Sequence, residues 1–164
     1  SVRVVLRRYG ITRGVLEIDD TDKQRSKLTR KIAYVHKLKD KKSGGFIKGQ
    51  SIVFLILVTP RITFPVGFAF YMPDPAVSAW YQEDKKLKKQ AVPSAQRPPK
   101  PPKNETYPTK EELSLRLLRQ FKSCHPTIHI NCVNADALYG TEIFWGVPGC
   151  FEKYSSTERA RFLT

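Results

Sequence analysis

Apolar residues along this chain fall into runs of two kinds. Ser51 to Thr59 is a nearly unbroken β-branched and aliphatic run, which predicts a central strand covered on both faces. Ile62 to Tyr71 returns after the turn at Pro60-Arg61 and completes a β-hairpin. Pro65 gives this second strand an edge position or a bulge, because proline has no N–H for a ladder. Gly14 to Asp20 reads as a shorter buried strand with acids at its exit, and Ile128 to Ala135 as a later strand that terminates in Asp136. Before that last strand the period changes. Leu113, Leu117, Leu118 and Phe121 recur at helical spacing, Thr109 serves as N-cap with Glu112 as its capping-box partner, and Pro126 ends the element. This order predicts a mixed α/β domain with no internal repeat.

Two segments lack a sustained period. Residues 21–50 are basic and turn-rich and read as a loop, with a short strand at Ala33 to His36. Residues 73–108 form a long Pro/Lys-rich insertion. Within it, Ala76 to Leu87 can make a short helix, while Gln96 to Lys103 reads as an extended proline-rich linker. Trp80 and Tyr81, followed by a lysine run over 85–89, either stack on an unpaired base or anchor the insertion to the core. Gln50 likewise either touches DNA or closes the start of its strand. The longest apolar run, Ile52 to Val58, is too short to span a bilayer, and Ser1 to Arg8 lacks the pattern of a signal peptide, so no membrane partner is expected.

Composition narrows the function. With 164 residues, 40% of them hydrophobic, the chain can build one real core. Its net charge is +14, and residues 1–50 carry 14 Lys/Arg against 5 Asp/Glu. Lys23, Arg25, Lys27, Arg30, Lys31, Lys41, Lys42 and Lys48 lie in this basic part. They suit either a polyanion partner or a solvated basic face. Cys124, Cys132 and Cys150 form no disulfide framework, which favours the cytoplasm. The cluster Cys124-His125, His129 and Cys132 invites a zinc reading, but strand alternation separates its side chains and no second pair completes a four-ligand set. Gly44-Gly45 lacks the Lys-Ser/Thr of a phosphate loop, and no Ser or Cys has a nucleophile context.

The carboxylates are harder to dismiss. One strand ends at Asp19-Asp20 and another at Asp136. If those strands are neighbours, the carboxylates repel one another unless a cation sits between them, and Mg²⁺ suits such oxygen ligands. Aspartates that merely open turns are the competing explanation.

The stretches GVLEIDDTDKQRSK (14–27), HKLKDKKSGGFIKGQSIVFLILVT (36–59), PVGFAFYMPDP (65–75) and VNADALYG (133–140) resemble a DDE-type insertion-sequence transposase. The likeness covers roughly residues 10–145. It implies an RNase H-like, retroviral-integrase-like mixed sheet with flanking helices, incomplete at the C-terminus. It also implies that Asp20, just before threonine, and Asp136 are catalytic carboxylates that ligate Mg²⁺ or Mn²⁺. The partners implied are DNA, as transposon ends and target, and a second copy of the full-length protein as a homodimer. The implied location is the cytoplasm, at the nucleoid.

The family's third acid, a glutamate on a later helix, has no recognisable counterpart. Glu142, Glu152 and Glu158 are the candidates, in a stretch (141–164) that departs from the family pattern and reads as a frameshifted or disordered tail. The expectation is therefore a partial catalytic domain over 1–140, an N- and C-terminally incomplete copy that is inactive alone. Two other readings stay open: a non-catalytic nucleic-acid-binding remnant, and a metal-dependent nuclease that completes its site with Glu142 or Glu158.

Overall fold

The computed structural model describes residues 1–28, 30–40 and 43–136. In chain order these form α1 (Val2–Arg8), β1 (Arg13–Gln24), β2 (His36–Lys39), β3 (Phe46–Val58), β4 (Thr63–Tyr71), α2 (Pro75–Lys89), a 3-10 turn (Ser94–Gln96), α3 (Lys110–Cys124) and β5 (His129–Ala135). The class is mixed α/β, with a five-stranded mixed sheet and three α-helices among the described residues. The strand order is β2-β3-β1-β5, and β4 also pairs with β3. None of these helices is long and apolar enough to cross a membrane.

By contacts the chain divides into two compact units. Among the described residues, the first comprises 1–19, 54–68 and 114–136. Here β1 and β5 run parallel, in register from Arg13↔His129 to Ile18↔Ala135, with one irregularity between Gly14 and Leu16. Leu55 and Leu57 of β3 are fully buried, whereas Phe54, Ile56 and Val58, which alternate with them, are only half-buried. The expected cover on both faces is therefore uneven. The reason lies in α3, whose Leu115, Leu117, Leu118 and Phe121 are buried. At Gly67 of β4 a Cβ would come 3.2 Å from Leu117 Cδ2, so a bare backbone lets this helix settle on one face. On the other face, Phe54 and Phe68 pair their rings 6.3 Å apart, and Phe68 stays 59% exposed. Pro65 falls in β4, which among the described residues pairs with β3. Sequence reading assigned no element to α1. It is a seven-residue helix with one buried side chain, Leu6, closed by Gly10 at φ 58° and the bond from Ile11 N to Leu6 O.

The second unit comprises residues 20–53 and 69–113. Three boundaries differ from expectation. β1 does not stop at Asp20 but continues to Gln24, so Asp19, Asp20 and Asp22 lie inside a strand rather than at its exit. β3 starts at Phe46 instead of Ser51. Both extensions depend on Gly49, where a Cβ would come 2.8 Å from Lys23 O and 2.5 Å from Leu38 Cδ1. Only glycine lets the three strands approach so closely there. β2 occupies His36–Lys39 rather than Ala33 to His36, because Tyr34 has φ 61° and breaks the extended path.

α2 begins where Asp74 accepts from Ala76 N at 2.8 Å and Pro75 takes the first helical position. The proline-rich stretch that follows is a strap rather than a free linker. Trp80 Nε1 donates to Pro98 O at 2.8 Å, and Arg97 Nη1 meets Asp84 Oδ1 at 2.8 Å. Lys88 Nζ holds the other oxygen of Asp84 at 2.7 Å. Asp84 is 7% exposed. The hydrogen bond from Lys88 lowers its pKa below the ordinary aspartate range; burial opposes this, and Arg97 adds to it.

A carboxyl whose pKa is depressed by folding stabilises above its unfolded value, and the stabilisation is lost as pH falls through the folded value. In a Trp145→Phe background, Trp80 emission is therefore expected to hold steady from neutral pH through the ordinary aspartate range. It should change only below that range. Asp84→Asn should release the strap already at neutral pH, and a transition near neutrality in the parent would contradict the assignment.

Candidate functional site

Alternation along β1 buries Gly14, Leu16 and Ile18 and half-buries Asp20, while Glu17 and Asp19 on the other face are exposed. Asp20 therefore continues the inward row. Its carboxylate receives the ammonium of Lys110, the first residue of α3, in a charge-assisted hydrogen bond. The placement of Lys110 follows from the helix start. Thr109 N donates to Glu112 Oε2 at 2.9 Å and Glu112 N donates back to Thr109 Oγ1 at 3.2 Å, which fixes the first turn. Lys110 Nζ also stands 5.6 Å from the centre of the Tyr71 ring. Burial raises the Tyr71 pKa, and the Lys110 charge partly offsets this.

A second polar group lies further along β1. Ser51 Oγ of β3 donates to Asp22 Oδ1 at 2.5 Å and lies 3.4 Å from His36 Nε2. His36 Nδ1 donates to Tyr34 O at 3.1 Å, because a carbonyl can only accept. The imidazole meets the Tyr71 ring edge-on, with centroids 5.9 Å apart. Asp, Ser and His are thus adjacent, but not as a nucleophile set. The Ser51 proton goes to the carboxylate rather than to the imidazole, and Ser51 is 2% exposed, with no access for a substrate. The group ties the acidic strand to β2 and β3 and holds it in place.

The basic residues separate into kinds. Lys23 and Lys48 are exposed on strands, and Lys27, Arg30 and Lys31 are exposed on the connection to β2. Arg25 is half-buried, and its Nε donates to Gln50 Oε1 at 2.8 Å. Gln50 is buried and passes its own amide to Ala33 O at 2.7 Å, so it closes the loop from within. Lys41 and Lys42 lie outside the described residues, as do Glu142, Glu152 and Glu158.

Asp136 belongs to the first unit, exposed and one residue beyond the last β5 pair, Ala135 with Ile18. Among the described residues no three His, Cys, Asp or Glu side chains cluster as a metal site, the Cys124 to Cys132 stretch included. Sequence reading missed Lys110, Tyr71, Ser51 and His36 as neighbours of the acids. Lys110 sits 90 residues from Asp20, and only its place beside the Thr109 cap marked it at all.

No family model, curated protein or solved structure matches the chain.

Proposed function

We propose that the chain carries the catalytic core of a DDE-type insertion-sequence transposase on an RNase H-like sheet. It would act on transposon ends and target DNA, pair with a second copy in the full-length protein and work at the nucleoid. The observation that carries this reading is the parallel pair β1/β5. Its register ends at Ile18↔Ala135, and acids follow on both strands, Asp19-Asp20 on one and Asp136 on the other.

Asp20 and Asp136 are the residues that would hold Mg²⁺ or Mn²⁺. The donor chemistry fits: both offer hard carboxylate oxygens, and Asp20 already attracts a cationic group in Lys110. A bound divalent ion in such a site supplies charge stabilisation and an activated water for phosphodiester cleavage and strand transfer. The chain's own part is to aim Asp20 through the alternation of β1, and to hold that strand through Ser51 and Asp22. Lys23, Lys27, Arg30, Lys31 and Lys48 supply exposed charge for phosphates, and Lys41 and Lys42 belong to the same basic run. Completion of the site by a third acid rests on the glutamates after residue 140.

One observation favours a second reading, a nucleic-acid-binding remnant without catalysis. The Lys110 ammonium already neutralises Asp20, as a retired metal ligand would permit. Calorimetric titration with Mg²⁺ separates the two. The transposase reading expects saturable binding by the wild type that is lost in Asp20→Ala, and superimposable isotherms would favour the remnant.

A further inference from the structure

The sequence left Trp80 and Tyr81 together, either as base-stacking residues or as anchors. The structure divides them. Trp80 is half-buried and spends its indole N–H on Pro98 O, whereas Tyr81 is 55% exposed. Positions i, i+4 and i+7 share one face of an α-helix, so Lys85 and Lys88 follow Tyr81 along the same side of α2. Both lysines are exposed. The strap contributes Lys100, whose ammonium stands over the Tyr81 ring, 5.9 Å from its centre, and the Trp80 ring meets the same ring edge-on with centroids 4.8 Å apart. Glu83 belongs to the other side of the helix, where it lines a separate groove with Ala79 and Lys86. The acid nearest the stripe, Asp84, is buried and already neutralised by Arg97 and Lys88.

We propose that this face of α2 and its strap is a docking surface for single-stranded nucleic acid, with one unpaired base stacked on Tyr81 and the flanking phosphates on Lys85, Lys88 and Lys100. An exposed ring beside cations is the arrangement that binds single strands without sequence preference, since every base has a π-face. A duplex offers the same phosphates but keeps its base faces stacked, so it would use the lysines and leave the ring idle. Trp80 to Pro98 and Asp84 to Arg97 tie the strap to α2 and bring Lys100 over Tyr81; a stacking base would take the place of that ammonium, which then meets the adjacent phosphate. The surface goes beyond the acidic site and stands without it, because no metal takes part.

Fluorescence anisotropy with the whole chain, a labelled oligothymidylate and a duplex of equal length tests this in EDTA. Tyr81→Ala should weaken single-strand binding at least about five-fold, the change that ~1 kcal/mol of base stacking corresponds to. Duplex affinity should be unchanged, and Tyr81→Phe should bind like wild type. Lys85→Gln should reduce the slope of log affinity against log salt by about 0.7. Wild-type single-strand affinity in Tyr81→Ala would overturn the proposal, as would equal losses for single strand and duplex. Because EDTA removes divalent ions, either result leaves the metal reading to its own titration.

Discussion

Leu55→Ala is expected to cost about 2–5 kcal/mol of folding stability, the range for emptying a buried leucine site. Leu55 has no exposed surface, and its Cβ lies 3.8 Å from where a Cβ on Gly67 would sit, on the face that α3 covers. Neither wall can close the gap cheaply. Gly67 has no side chain to extend, and Leu117 already approaches that backbone closely. Against a typical total of about 5–15 kcal/mol, the loss would take a large share of the stability. Phe68→Ala on the opposite face is the internal control. Its ring is larger but mostly exposed, so the change should cost about 1 kcal/mol or less. Urea unfolding followed by circular dichroism should show a much lower midpoint for Leu55→Ala, with an unchanged slope. Equal midpoints for the two variants would mean that α3 does not seal one face of the sheet.

Lys110→Met should make the chain less stable without metal yet better at binding it. The ammonium neutralises Asp20, and both side chains are partly buried, so the pair is worth roughly 1 kcal/mol, near the upper end for exposed pairs. Methionine keeps the length and apolar body of the side chain while removing its charge. On the proposed metal reading, a divalent cation competes with that ammonium in the wild type. Its removal should therefore tighten Mg²⁺ binding about five-fold, the change that ~1 kcal/mol corresponds to. Paired calorimetric titrations measure this directly. Weaker Mg²⁺ binding in Lys110→Met would show that the lysine assists the ion instead of standing in its place.

Much of the fold was legible because it rests on local patterns. The aliphatic run of β3, the hairpin turn at Pro60 and the capping box at Thr109 each announce an element within a few residues. The differences came where tertiary contacts overrode those patterns. Gly49 allows β1 and β3 to extend through a stretch whose charges suggested a loop, and the left-handed Tyr34 moves β2 downstream. The proline-rich insertion looked detached because prolines cannot donate backbone bonds. It is tied down instead by side chains, through Trp80, Asp84 and Arg97.

For the site, sequence supplied the acids and the structure supplied their neighbours. The resemblance singled out Asp20, just before threonine, and alternation on β1 half-buries Asp20 while leaving Asp19 exposed. The partners of those acids come from distant parts of the chain, Ser51 from β3 and Lys110 from α3, and no spacing rule connects them.

The central proposal is that Asp20 and Asp136 together bind a divalent ion. Calorimetric titration with Mn²⁺ of wild type, Asp20→Ala, Asp136→Ala and the double variant tests it most directly. Residues that share a ligand couple, so each single change should remove most of the binding and the double change should remove no more. Undiminished Mn²⁺ affinity in either single variant would contradict the claim.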